Sequence, residues 1–88
     1  MIINIKDLKN KIIYRANYRG TKEMDKLLGS FVKIYINKLT DDELPLLCDL
    51  FDLDDENLYK FNQGLVVTVK IETNKVTELF RNYKYVNQ

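Results

Sequence analysis

Met24, Leu27, Leu28, Phe31, Val32, Tyr35, Ile36 and Leu39 recur at spacings of three and four, and this one run dictates a broad apolar helical face that something else must cover. Lys22, Lys26, Lys33 and Asn37 fall off the stripe. A helix of this length owes most of its stability in water to packing, so its neighbours decide the fold. Gly29 and Ser30 interrupt the run at a cost of about 1 kcal/mol relative to Ala. A glycine there also permits close approach of a second helix.

The neighbours read as helices too. Ile5, Leu8, Ile12, Ile13 and Ala16 predict a first helix to about Tyr18, with Gly20 punctuating after it. Thr40-Asp41-Asp42-Glu43 has the form of a capping box, in which the Thr40 hydroxyl takes the Glu43 amide and Glu43 reaches back. The helix it opens buries Leu44, Leu47, Leu50 and Phe51. Counted from a Thr40 cap, Pro45 lies past the first helical position, which predicts one lost hydrogen bond and a distorted first turn. Asp54 caps a short fourth helix that buries Leu58 and Phe61 and stops at Gly64. Val67, Val69 and Ile71 alternate with polar residues, but a lone strand has no partner in a helical chain, so this stretch reads as an extended connector. Asn74 or Thr73 caps a last helix carrying Val76, Leu79, Phe80 and Tyr83, and Tyr85–Gln88 reads as a frayed tail. The expected fold is all-α, a compact five-helix bundle. A chain of 88 residues makes one domain, 1–88, with helices at roughly 4–18, 21–39, 41–53, 55–63 and 74–84.

Charge is polarised along this chain. Residues 1–39 carry nine Lys/Arg against three Asp/Glu, and residues 40–63 carry one against eight. Such asymmetry either steers a partner or is compensated between neighbouring helices. The absence of histidine removes the side chain best suited to proton transfer near neutral pH, and with the single Cys48 it excludes a structural zinc site. Cys48 lies in an apolar run and reads as a buried, inert thiol in a reducing compartment. No apolar run reaches membrane-spanning length, and Met1–Lys6 lacks a signal-peptide core. The expectation is a cytoplasmic, bacterial protein without membrane insertion, monomeric, and not an enzyme.

Three clusters could carry function. Asp52, Asp54 and Glu56 alternate like the start of a calcium loop, but Asn57 and Gln63 stand where that loop needs glycine and glutamate, so helix capping explains the acids better. Lys6, Lys9, Lys11, Arg15, Arg19 and Lys22 make the first helix basic, as phosphate contact requires, yet the acidic second half argues for a solvated face. The third cluster, Arg19-Gly20-Thr21-Lys22-Glu23, is the most informative. Arg15 and Arg19 share a helix face, Gly20 can take positive φ, and Glu23 would sit at the third helical position if Gly20 were the cap. A helix junction explains Gly20 and Glu23. Two arginines, Tyr18 and an acid meeting at one exposed corner look like an interface anchor.

That cluster also resembles the R-G-x-x-E motif of the FAD assembly factor SdhE family, the flavinylation factors of succinate dehydrogenase. Met24-Asp25 follows it, Leu39-Thr40-Asp41-Asp42-Glu43 matches the family's L-[ST]-x-x-E turn, and Asp54-Asp55-Glu56-Asn57-Leu58-Tyr59-Lys60-Phe61 resembles its D-D-P-D-L-[YF]-x-W block. The three blocks stand in order across residues 12–64. Tyr18 replaces a second family arginine, Glu56 and Asn57 stand in place of proline and acid, and Phe61 replaces tryptophan; the C-terminal third carries no recognisable block.

The resemblance implies a five-helix bundle. It also implies binding to the flavoprotein subunit of succinate dehydrogenase, with that of fumarate reductase as a second candidate, to promote covalent attachment of FAD. The partner would carry the FAD and supply the histidine that bonds it, so no cofactor is held stably by this chain. Partner contact is expected at Arg15, Tyr18, Arg19, Gly20 and Glu23, with Asp25, Asp54 and Asp55 from the matching blocks. The rival expectation is a small antitoxin-like or nucleic-acid-binding regulator using the basic first helix. A hydrolase using the acidic residues is the weakest reading.

Overall fold

In the computed structural model, which describes residues 4–85, the apolar periods become five α-helices: α1 Ile5–Asn17, α2 Lys22–Tyr35, α3 Leu44–Phe51, α4 Asp55–Asn62 and α5 Lys75–Asn82. The fold is an all-α bundle. Phe31, near the middle of α2, is fully buried at its centre, with ring centroids of Tyr35, Phe80 and Tyr83 at 4.9, 5.2 and 5.4 Å. These are tilted or edge-on pairs, the geometry that aromatic quadrupoles favour. Ile12 and Ala16 of α1, Leu44, Leu47 and Phe51 of α3, Leu58 of α4 and Val76 of α5 close the core around α2.

The α1–α2 pair is an antiparallel hairpin. Lys9 Nζ donates to Asn37 Oδ1 at 3.2 Å at one end, and a Cβ on Gly29 would lie 2.6 Å from Asn17 Oδ1 at the other. Gly29 therefore leaves room for the Asn17 side-chain amide, with no backbone atom of α1 within 4 Å of that Cβ. Because Asn17 lies level with Gly29, the first turns of α2 extend past the end of α1. Ser30 is also used: its hydroxyl donates to Leu27 O and accepts from Tyr83 Oη at 2.6 Å.

Helix ends differ most from the sequence expectation. The second helix stops at Tyr35, short of Leu39, because Lys38 N and Leu39 N both bond Tyr35 O in a tightened final turn. Ile36 N still bonds Val32 O in the helical pattern, and Ile36 and Leu39 stay buried past the end of α2, so the stripe reported burial more than helix length. The Thr40 box is half made. Thr40 N donates to Glu43 Oε1 at 2.8 Å, but Glu43 N donates to the Thr40 carbonyl, not its hydroxyl. Residues 41–43 form a separate turn and α3 begins at Leu44. Pro45 thus falls in the first turn, where an N–H would have no intrahelical acceptor, and the expected loss of a hydrogen bond does not arise. The bond from Thr40 N, reinforced by Lys75 at 3.1 Å, holds the Glu43 carboxyl below its ordinary range.

Asp54 caps α4 by accepting from Asn57 N, and Asn74 caps α5 in a reciprocal box with Thr77. The Asn57 side-chain amide and then its backbone N–H hold the Asp54 carboxyl low. A carboxyl depressed on folding stabilises above its unfolded pKa and loses that contribution as pH falls through the folded value, so the α4 cap weakens in acid. Residues 65–73 are a connector without helix or strand, bent at Thr68 and Val69. Thr68 N donates to the buried Asn57 Oδ1 at 3.0 Å, which pins the connector's middle to α4.

Asn62 is the second buried amide. Its Nδ2 donates to both Phe80 O and Tyr83 O at 2.8 Å, so it satisfies the carbonyls at the end of α5 from the end of α4. Asn62→Leu should leave both acceptors without this donor and cost about 2 kcal/mol. Urea denaturation checks this; an unchanged midpoint would show that the amide carries no net stability.

Candidate functional site

The loop 18–21 between α1 and α2 is four residues long, and each residue has a separate task. Tyr18 leaves the helix at φ −134°, Gly20 turns the chain at φ 118°, and Thr21 caps α2 by accepting from Met24 N at 3.3 Å. The cap is Thr21, not Gly20, so Glu23 occupies the second helical position. An acid there still faces the positive end of the helix dipole. A φ of 118° lies where only glycine is unstrained. A Cβ at Gly20 would meet nothing within 4 Å, so the position is open to solvent.

Arg19 turns inward, contrary to the expectation of an exposed corner. Its Nε pairs with Asp55 Oδ1 at 2.8 Å, Nη1 donates to Phe51 O at 3.0 Å and Nη2 to Leu53 O at 2.8 Å. The guanidinium also lies 5.9 Å from the Phe51 ring centroid. Side-chain exposure is 12% for Arg19 and 30% for Asp55. The cation therefore takes carbonyls from the end of α3 and the first acid of α4 together, fixing the 18–21 loop to the α3–α4 turn. Asp25 completes the clamp by accepting from Arg19 N.

Arg15 is likewise engaged, with Nη2 at 2.8 Å from Asp52 Oδ1. Arg15 and Arg19 on the basic segment thus meet Asp52 and Asp55 on the acidic one, so part of the sequence's charge polarity is neutralised between helices. Asp52, Asp54 and Glu56, the residues in calcium-loop spacing, turn to three separate partners: Arg15, the Asn57 amide and Lys60.

The eight expected contact residues therefore divide. Arg15, Arg19, Asp25 and Asp55 hold the corner together, and Asp54 caps α4. Tyr18, Gly20 and Glu23 are exposed on it. Among the described residues, no ion pair involves Glu23. Tyr14, absent from the sequence expectation, packs against Tyr18 with rings tilted by 33° and centroids 4.6 Å apart; the two are 65% and 69% exposed. Their spacing of four on an otherwise polar face was the available signal.

Glu23 also borders a groove of about 470 Å³ together with Lys22, Lys26, Tyr59, Lys84 and Tyr85. Cys48 is only partly buried, and burial pushes its thiol pKa up, against the activation a nucleophile needs. No helix among the described residues is long and apolar enough to cross a membrane.

The profile of the family described as "Flavinator of succinate dehydrogenase" matches residues 10–84. That range extends past the blocks at 12–64 into α5. The "Succinate dehydrogenase assembly factor 2, mitochondrial" of Dictyostelium discoideum is 44% identical over 43 residues, 49% of this chain and 30% of that protein. The "FAD assembly factor SdhE" of Acetobacter pasteurianus is 33% identical over 55 residues, 62% of this chain and 50% of that protein. The matched stretches thus span no more than half the length of either relative. No solved structure matches the chain. With the profile running from within α1 through α5 and the Arg19–Glu23 motif built as one clamped corner, the chain belongs to the family of flavinators of succinate dehydrogenase.

Proposed function

We propose that this chain is an assembly factor that binds the flavoprotein subunit of succinate dehydrogenase and promotes covalent attachment of FAD to it. The observation that carries this reading is the division of labour at the α1–α2 corner. Arg19 is spent on holding the corner, while Gly20 and Glu23 stand open on a rigid mount. The flavin bond forms on the partner, where FAD is carried, and a chain without histidine is consistent with that division. The factor acts by binding, as a monomer in the cytoplasm, and not as an enzyme. Binding promotes the reaction only if the corner has higher affinity for the partner conformation in which flavin and acceptor are aligned. The flavoprotein of fumarate reductase is a second client under the same reading.

Two of the three arginines are engaged with acids of α3 and α4, which disfavours a nucleic-acid regulator on α1. The test is co-expression of the flavoprotein subunit with and without this chain, followed by in-gel flavin fluorescence after denaturation. A strong gain in covalent flavin with the chain present is expected. Equal fluorescence in its absence would sink the proposal.

A further inference from the structure

Beyond the corner itself, the groove beside Glu23 has its own chemistry. Lys22, Glu23 and Lys26 on α2 face Tyr59 on α4, with Lys84 and Tyr85 following α5. The buried Leu27 contributes to its lining. At about 470 Å³ it can hold one or two side chains of an extended segment. Two half-exposed tyrosines offer amphipathic walls of the kind enriched at interfaces. Three lysines stand against one glutamate, a net positive lining. Among the described residues neither Lys22 nor Lys26 has an ion-pair partner, and Lys84 spends one of its donors on Asn62 O at 3.1 Å.

We propose that this groove takes an acidic segment of the flavoprotein, its carboxylates on the lysines and an apolar side chain between Tyr59 and Tyr85. This rests on the docking reading above and extends it from the corner to a second, adjoining contact. The segment would give the complex electrostatic steering that Glu23 and Gly20 alone do not supply.

The test is titration of the purified chain with the intact flavoprotein subunit, comparing wild type with Lys26→Glu, Tyr59→Ala and Glu23→Ala. Lys26 and Tyr59 are exposed and make no ion pair among the described residues, so both variants should melt close to wild type. Lys26→Glu should weaken binding about tenfold or more and flatten its salt dependence, and Tyr59→Ala should weaken it severalfold. If both bind as wild type while Glu23→Ala loses affinity, the groove assignment is overturned and the docking reading stands. If the wild-type chain does not bind the subunit, the docking reading fails and the groove assignment with it. Tight binding of an oligouridylate probe that Lys26→Glu abolishes would also overturn the proposal, in favour of nucleic acid.

Discussion

Arg19→Ala is expected to lower the stability of the bundle by about 3 kcal/mol, the largest loss from any single substitution at the α1–α2 corner. Three contacts go at once. The Phe51 and Leu53 carbonyls lose their donors, and Asp55 loses its 2.8 Å partner in a site where Arg19 is only 12% exposed. Asp55 keeps some solvent, which brings the loss to the lower end of what breaking a buried pair costs. For a domain of this size that is on the order of 15 °C in Tm. It is also a large share of a total stability of roughly 5–10 kcal/mol.

Arg19→Lys should recover little, because an ammonium cannot fork between two carbonyls and a carboxylate. Removing Asp55 as well should cost less than the two single losses added, since Arg19→Ala already leaves that carboxylate without its cation. Circular-dichroism melts of Arg19→Ala, Asp55→Ala and the double variant check this. A melting point within a degree or two of wild type for Arg19→Ala would refute the clamp and return Arg19 to the exposed surface.

Arg19 is legible only through residues far along the chain. An arginine beside a glycine in a polar loop looks solvated, and nothing local reveals what it touches. Its partners lie 32 to 36 residues later, at the meeting of α3 and α4. Asn57 and Asn62 are similar. Asn62 falls on the buried face of α4 with Leu58, and a polar residue at such a position must find hydrogen bonds, so its burial was legible. That the bonds go to the end of α5 was not, because α5 is reached only after a connector without regular structure.

The α2 stripe was readable because period reports burial directly. Its end was not, because Ile36 and Leu39 are buried by a turn as well as by a helix. The motif Arg19–Glu23 was legible as a unit, and what the structure adds is its internal division. The groove lysines are spread over positions 22, 26 and 84, so no sequence window could have joined them.

Glu23→Ala should show the opposite signature to Arg19→Ala. Glu23 is exposed, outside the core, and free of ion pairs among the described residues, so its loss should change stability by no more than about 0.5 kcal/mol, the worth of one acid in a first helical turn. Covalent flavin on the co-expressed flavoprotein should nevertheless fall about tenfold or more, as when a central charged contact is truncated. Gly20 gives an independent measure at the same surface. At φ 118° any side chain is strained by about 1–3 kcal/mol, while open space means that size adds no further cost within the chain. Gly20→Ala and Gly20→Leu should therefore melt at similar temperatures. Only the leucine keeps the partner's backbone at a distance, so Gly20→Leu should lose far more flavinylation than Gly20→Ala. Equal flavinylation by these two variants would mean that Gly20 acts through loop conformation alone. Full flavinylation by Glu23→Ala would remove the carboxylate from the docking surface and leave Tyr14 and Tyr18 as the contacts to test.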